Sequence, residues 1–254
     1  MAATDSAPLR LARKLQQRRC GEERGLCLVE GFKCLKEALR MGPPVAVFFS
    51  ARAAGALAPL SLARDHAHEV AEKTLAALCS TATPEGVLAI VRRPPVAAGL
   101  PAGQPGSLHL ALYEWRDPAN TGAVVRCARG LGAASVLQWG EGPDFFSPKV
   151  IRASMGSVFH LPLARLPARE QPPETWACFY ADASASRAPA RLARDRPNLL
   201  VVGGEAHGLP EGLRSAPGAL AIEMSGGLES LSAPIAAALL LDRLRGRIHP
   251  ENGS

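Results

Sequence analysis

The residues best able to do chemistry gather in the last third of the chain, most densely in 222–241, IEMSGGLESLSAPIAAALLL. Ser225-Gly226-Gly227 breaks what begins as a strand and predicts a tight turn. Ser230 and Ser232 then lead into a helix of small residues, with Pro234 in its first turn, where the missing N–H is no loss. A Gly/Ser loop entering a helix N-terminus presents unpaired backbone N–H groups and hydroxyls. Its chemistry is the binding of something polar. Alone, the stretch reads equally well as an ordinary strand–turn–helix connection.

Two further stretches keep it from standing alone. In LLVVGGEAHGLPEG (199–212) an apolar strand runs into Gly203-Gly204-Glu205, with Gly208 close behind. Glycines directly after a buried strand predict close approach of a ligand to the backbone. No Gly-Lys-Ser/Thr follows, and neither this stretch nor Gly130-Leu131-Gly132 makes G-x-G-x-x-G, so the common nucleotide loops are disfavoured. In YEWRDPANTGAVVRCARGLGA (113–133), Asp117-Pro118 marks a turn and Asn120 or Thr121 caps the helix that follows. Arg126 lies about 1.7 turns beyond Asn120. With Val124, Val125 and Leu131 as apolar neighbours, it reads as standing at the edge of a cleft.

These loops need strands and helices to hold them. From Leu108 the pattern predicts strands at 108–113, 134–138, 177–181, 199–203 and 219–224, and helices at 120–131, 148–155, 188–195 and 233–246. Strands alternating with helices specify an α/β fold with a mostly parallel sheet covered on both faces. Loops converging at the strand ends place a small-molecule pocket at the C-terminal edge of that sheet. Upstream, strands at 26–29, 45–50 and 86–91 and helices at 32–40 and 69–78 form a smaller α/β unit, with 51–68 partly helical. RRPPVAAGLPAGQPGS (92–107) is dense in Pro and Gly and reads as a linker. The expected division is 1–91, linker 92–107, and 108–254.

With 254 residues, 47% hydrophobic and 20% charged, the chain has ample material for a core. Its net charge of +6 points weakly to a polyanionic partner. The sharper signal is local. Arg10, Arg13, Lys14, Arg18 and Arg19 fall within ten residues with no acidic residue among them. Leu11 and Leu15 supply an i, i+4 apolar pair beneath that basic face, which suits phosphate contacts. The six cysteines show no metal-ligand spacing and read as reduced thiols, so no metal site is expected. No apolar run reaches the ~18–20 residues of a membrane span. A cytoplasmic protein is expected.

The trio DPANTGAVVRCARGLGA, VVGGEAHGLPEG and IEMSGGLESLSAPIAAALLL resembles the three ordered motifs of the SpoU/TrmH-type RNA ribose 2′-O-methyltransferases of the SPOUT superfamily. SPKVIRASMGSVFHLPL (147–163) resembles the segment that family carries between its first two motifs. KLQQRRCGEERGLCLVEG and TATPEGVLAIV are similar to its ribosomal-protein-like substrate-binding domain, so the likeness spans nearly the whole chain.

That resemblance implies a deep trefoil knot in the C-terminal domain, a homodimer, and S-adenosylmethionine bound in the knot loops. It puts cofactor contacts at Gly203, Gly204, Glu205, Ile222, Met224 and Leu231, largely through backbone atoms. Arg126 matches the family's catalytic arginine, with Asn120, Glu205 and Ser230 in support, and Arg10, Arg13, Lys14, Arg18 and Arg19 as the RNA-binding face. One position departs: Ser232 stands where the family usually has Asn, which removes an amide donor. The implied reaction is methyl transfer to a ribose 2′-hydroxyl, with ribosomal RNA favoured over transfer RNA. Arg126 is either a base or a phosphate clamp that stabilises developing charge. A guanidinium pKa above about 12 favours the clamp. The rival readings are a non-catalytic RNA- or ribosome-binding protein on a degenerate scaffold and a base-methylating enzyme of the same superfamily.

Overall fold

The computed structural model describes residues 6–60, 62–185, 191–205, 207–225 and 230–246. They form two compact units.

The first unit opens with α1 (Ala7–Leu15) and α2 (Arg18–Arg24), followed by β1 (Leu26–Glu30), α3 (Phe32–Leu39) and β2 (Ala46–Phe49). Short helical turns from Ala51 to Leu60 enclose α4 (Ala54–Leu57), and β3 (Ala67–Glu69), α5 (Glu72–Leu78) and β4 (Val87–Arg92) complete it. The sheet runs β1-β4-β2-β3, with β4 antiparallel to both neighbours and β2 parallel to β3. Leu9, Ala12 and Leu15 form the buried stripe of α1, packing with Leu28, Phe48, Leu88 and Ile90 of the sheet. Leu11, expected in that stripe, is only partly buried beside it. Gly25, at φ 62, ends α2 in the left-handed conformation and turns the chain into β1. The three-residue β3 carries no apolar alternation, so the pattern did not reveal it.

The second unit begins with β5 (Val96–Ala98), inside the stretch read as a linker, where it pairs with β8 (Leu163–Leu166). β6 (Leu108–Tyr113), α6 (Pro118–Gly130) and β7 (Ser135–Trp139) follow. After β8 come β9 (Ala177–Ala181), β10 (Asn198–Gly203), α8 (Glu211–Arg214), β11 (Ala219–Leu220) and α9 (Ala233–Arg245). The seven-stranded sheet runs β11-β9-β10-β6-β7-β8-β5, and every pairing in it is parallel. β10 is buried along its whole length, and β6 at all but its last residue, as continuous apolar runs in a parallel sheet require. Ala111, Leu137, Leu199 and Val201 form a core on one face. α9 packs against α6 and β10.

Three expectations need adjustment. Residues 191–195 are not helical, and the first part of the helix expected at 188–195 lies outside the described residues. β11 is shorter than the 219–224 expected, because beyond Leu220 the chain leaves β9 to enter the loop before α9. The cap of α6 is Asp117, whose carboxylate accepts from the Asn120 N–H at 2.8 Å, so neither Asn120 nor Thr121 performs that role. The turn expected at Gly226-Gly227 also lies outside the described residues, as does part of the chain that would tie the implied knot.

Between β7 and β8 the chain leaves the second unit. Asp144–His160, with α7 (Pro148–Ala153), belongs to the first, although its helix was expected in the second. Polar side chains hold it there. Arg93 forms a two-point ion pair with Asp144, at 3.1 and 3.3 Å, both side chains 8% exposed or less, and its guanidinium lies 4.7 Å over the Phe146 ring. Arg152 reaches Glu30 at 3.1 Å, and that same carboxylate accepts from the Ser80 N–H and the Thr81 hydroxyl. Removing one member of a buried pair such as Arg93–Asp144 strands the other charge, which costs about 3–5 kcal/mol.

At the N-terminal end of the parallel sheet, His109 is buried between Ser107 and Ser135. The Ser107 hydroxyl donates to the Gln104 carbonyl at 2.6 Å, so it accepts from His109 Nε2–H at 2.9 Å, while Nδ1 accepts from Ser135 at 2.7 Å. Burial pushes the imidazole pKa down to about 4. The unfolded chain, with an ordinary histidine pKa near ~6.5, therefore binds this proton first. Stability from a neutral His109 should be complete above pH ~6.5 and lost as pH falls toward about 4, by up to about 3 kcal/mol. Urea titrations at stepped pH should show this loss in the wild type. The difference between wild type and His109→Gln should shrink across the same window.

Candidate functional site

A cavity of about 430 Å³ opens where β9, β10 and β11 end and α9 begins. Gly203, Gly204, Glu205, Ile222, Met224 and Leu231 all line it, and so does Ser230. The structure thus brings together all six residues singled out as one binding group. With Glu205 and Ser230 it also gathers two of the four singled out as catalytic or supporting. Its size is ordinary for a small organic ligand. Apolar side chains, among them Val202, Leu220 and Leu240, make most of its wall.

Local backbone geometry builds the floor. At the end of β10 the Gly204 N–H donates to the Tyr113 carbonyl at 2.9 Å, and the Gly208 N–H returns to the Gly204 carbonyl at 2.9 Å. Trp115, buried beside this loop, donates its indole N–H to the Val202 carbonyl at 2.8 Å. Glu114 turns through a positive φ of 52° at the end of β6, an uncommon conformation for a residue with a side chain. A Cβ on Gly203 would strike the Gly208 backbone, and one on Gly204 would lie 2.7 Å from the Glu114 carbonyl oxygen. Both glycines are required because the chain's own backbone fills the space. Both glycines also line the cavity, so the chain's own packing requires glycine at the positions where the sequence led us to expect a ligand close to the backbone.

α6 brings Asn120 to this loop. Its Nδ2 donates to Glu205 Oε1 at 2.5 Å, joining the first and second predicted stretches. Arg126, six residues further along α6, is exposed, does not line the cavity, and has no hydrogen-bond or ion-pair partner among the described residues. On α9, Ser232 occupies the N-cap position without donating or accepting a capping bond through its side chain. Pro234 has no N–H and the Ala236 N–H donates to the Ser232 carbonyl at 3.0 Å, so Ala233 and Ile235 carry the first-turn N–H groups that no described side chain caps, where Ser232 and Ala233 border the cavity. Arg10, Arg13 and Lys14 form the exposed side of α1 in the first unit. Arg18 and Arg19 lie on α2, with side chains outside the described set.

The electrostatics follow from the residues present. Asp182 and Glu205 are the charged side chains of the described lining, which has no Lys, Arg or His. The Asp182 carboxylate accepts from the Ser184 N–H and hydroxyl at 2.9–3.1 Å. Asp182 was not found in the sequence because ADASAS has no motif character. Its position just after the predicted strand 177–181, at the same sheet edge as Gly203, was the available signal.

Residues 107–242 match the model of the SpoU rRNA methylase family, and residues 8–89 match the MRM3-like substrate binding domain. A 23S rRNA (uridine(2479)-2′-O)-methyltransferase of Streptomyces viridochromogenes is 32% identical over 147 residues, 52% of this chain and 50% of that protein. The chain thus spans about half the length of this relative. An uncharacterised tRNA/rRNA methyltransferase of Synechocystis is 27% identical across 96% of this chain and 93% of its own. The crystal structure of an AdoMet-bound rRNA methyltransferase from Sinorhizobium meliloti superposes with a TM-score of 0.77 at 26% identity, covering 98% of each chain.

The glycine geometry sets an expected outcome. Gly204→Ala should lower the unfolding free energy by about 1–3 kcal/mol through overpacking against Glu114, seen as a reduced urea midpoint at unchanged m-value. Unaltered stability would show that the loop relaxes freely.

Proposed function

Since this chain belongs to the SpoU rRNA methylase family, we propose that it transfers a methyl group from S-adenosylmethionine to a ribose 2′-hydroxyl of RNA. The observation that carries the proposal is the cavity itself: one pocket gathers Gly203, Gly204 and Glu205, the flanking Ile222, Met224, Ser230 and Leu231, and the start of α9. Its donor set fits the cofactor. The apolar wall suits an adenine ring, free N–H groups at α9 suit hydrogen-bond acceptors, and carboxylates face a molecule that carries positive charge. Gly203, Gly204, Glu205, Ile222, Met224 and Leu231 would hold it. When bound, the cofactor supplies an electrophilic methyl carbon on a sulfonium.

The chain's own residues supply the rest. A 2′-hydroxyl must lose its proton as the C–O bond forms and the donor's C–S bond breaks. Glu205, oriented by Asn120, receives that proton, and Ser230 lends a hydroxyl at the same wall. Arg126 stays cationic, holds the neighbouring phosphate and stabilises charge developing on the oxygen. Because Arg126 is exposed and away from its own chain's cavity, it acts on the partner's site in a homodimer. The half-exposed Ile235 of α9, the helix packed on α6, supports an interface there. The basic face of α1 contacts RNA, and ribosomal RNA is the favoured substrate over transfer RNA. None of the described helices is long and apolar enough to cross a membrane, and the cytoplasm is the proposed location.

Isothermal titration with S-adenosylmethionine, followed by nucleoside mass spectrometry of treated ribosomal RNA, tests the reaction. A 2′-O-methylated nucleoside is expected, whereas a methylated base, or binding without turnover, would replace the proposal with one of its rivals. Arg126→Ala should leave cofactor affinity intact and reduce turnover several hundredfold, about 3–4 kcal/mol of transition-state stabilisation. Ala236→Phe should fill the cavity and abolish cofactor binding. Mixing these two inactive proteins should restore activity if the arginine works across the dimer. A mixture that stays inactive despite proven subunit exchange would assign Arg126 to its own chain's site.

RNA binding gives an independent measurement. Each phosphate-binding charge removed from α1, as in Arg10→Ala or Lys14→Ala, should flatten the slope of log K against log salt by roughly 0.7–0.9. Unchanged slopes would remove α1 from the RNA interface.

A further inference from the structure

The junction beneath the cavity contains a side chain that the methyl-transfer reading leaves unused. Glu114 follows β6 at a φ of 52°, one of two positive values among the described residues other than glycine. Glycine adopts that conformation freely, whereas a glutamate is strained in it. Strain kept at one position points to a use for the side chain. The contacts of Glu114 show what holds it. Its N–H donates to the Trp139 carbonyl at 3.0 Å, at the end of the β6–β7 ladder. Its carboxylate turns back over the end of β7, where Oε1 accepts from the Glu141 N–H at 3.3 Å. The seat for that carboxylate is Gly140, at φ 83°, whose Cβ would strike Oε1. On the other side, the Glu114 carbonyl oxygen lies 2.7 Å from where a Cβ on Gly204 would stand. One residue thus joins the loop after β7 to the glycine loop that lines the cavity.

We infer that Glu114 is a positioning residue for the cofactor pocket. Its anchored carboxylate fixes the backbone at positive φ, which holds the carbonyl against Gly204 and keeps the Gly203–Glu205 loop shaped before a ligand arrives. The inference rests on the cofactor assignment above. Glu114 is absent from the cavity lining, so it acts through Gly204 and not on the ligand. Without the anchor, the residue is free to relax to an ordinary negative φ. The peptide joining it to Trp115 then turns, and the contact with Gly204 opens. Ligand binding must re-form the loop, and apparent affinity falls with the fraction of molecules in which it is already formed. A loop formed in about one molecule in ten binds about tenfold more weakly.

Two measurements on the full chain separate positioning from plain stability. Calorimetric titration with S-adenosylmethionine reads binding. Amide hydrogen exchange at Gly204, whose N–H donates to the Tyr113 carbonyl, reads whether the loop is formed without ligand. Glu114→Ala and Glu114→Gly both remove the anchor, but only glycine tolerates positive φ, so the Ala variant should have the lower urea midpoint of the two. Both should nevertheless bind about tenfold more weakly and exchange Gly204 faster by a similar factor. Glu114→Gln keeps the length and the acceptor for Glu141, and should match the wild type in both readouts. Affinity that follows the midpoint, with the Gly variant like the wild type, would reduce Glu114 to a backbone requirement and overturn the inference. Weakened binding with unchanged exchange at Gly204, or a Gln variant as weak as the Ala variant, would overturn it too. Failure of the wild type to bind S-adenosylmethionine would instead remove the cofactor assignment, with the exchange rates still deciding whether Glu114 holds the loop.

Discussion

The cavity depends on one constraint: two backbone segments lie closer than side chains permit. At the end of β10, Gly203 and Gly204 meet the Gly208–Leu209 and Glu114–Trp115 backbones at distances no Cβ could occupy. Hydrogen bonds from Gly204 to Tyr113 and from Trp115 to Val202 hold the ends of β6 and β10 together. From that junction Glu205 is aimed at Asn120, which ties α6 to the same loop. A short cluster of main-chain contacts thus aligns the wall, the floor and the polar rim of the pocket. Because packing and site share these atoms, a change in the loop alters stability and geometry together.

The sequence revealed this region unevenly. β6, β7 and β10 announce themselves as apolar runs, and α6 and α9 carry prolines and small residues where helices begin, so their placement needed no tertiary information. β3 and β5 are three residues long, too short for any periodicity, and β11 is a two-residue remnant of the strand expected at 219–224. They exist because a neighbouring strand offers unpaired backbone groups, which is a property of the assembled sheet. β8 is longer, but its four residues between Pro162 and Pro167 include Arg165 and show too little alternation to stand out. The glycines stand out after an apolar strand, but the close backbone contacts that also require them are invisible in the sequence. A Gly-rich loop looks the same in sequence whether a ligand or the chain's own backbone fills the space.

The contrast between surface and cavity has a physical logic. Basic residues on α1 and the overall positive charge favour encounter with a polyanion at long range. Inside the cavity the described charges have the opposite sign, which repels phosphate groups from the space where a small ligand belongs. Opposite fields at two length scales would hold a polyanion and a small cation in separate places. A global charge count cannot show this, because it averages over residues with different tasks.

The excursion of Asp144–His160 into the first unit bears on how the chain can be made. Protein synthesis is vectorial, and N-terminal domains ordinarily fold as they emerge. Here the first unit lacks the partner of Arg93 until Asp144 has been synthesised, and the partner of Glu30 until Arg152 has. By then β5, β6, α6 and β7 have been synthesised, but not the strands β8 and β10 that later pair with them. The nascent chain must keep that apolar stretch soluble while its first unit waits for completion. Its order of folding is therefore set by where a polar latch falls in the gene, and not by the order in which the two units begin.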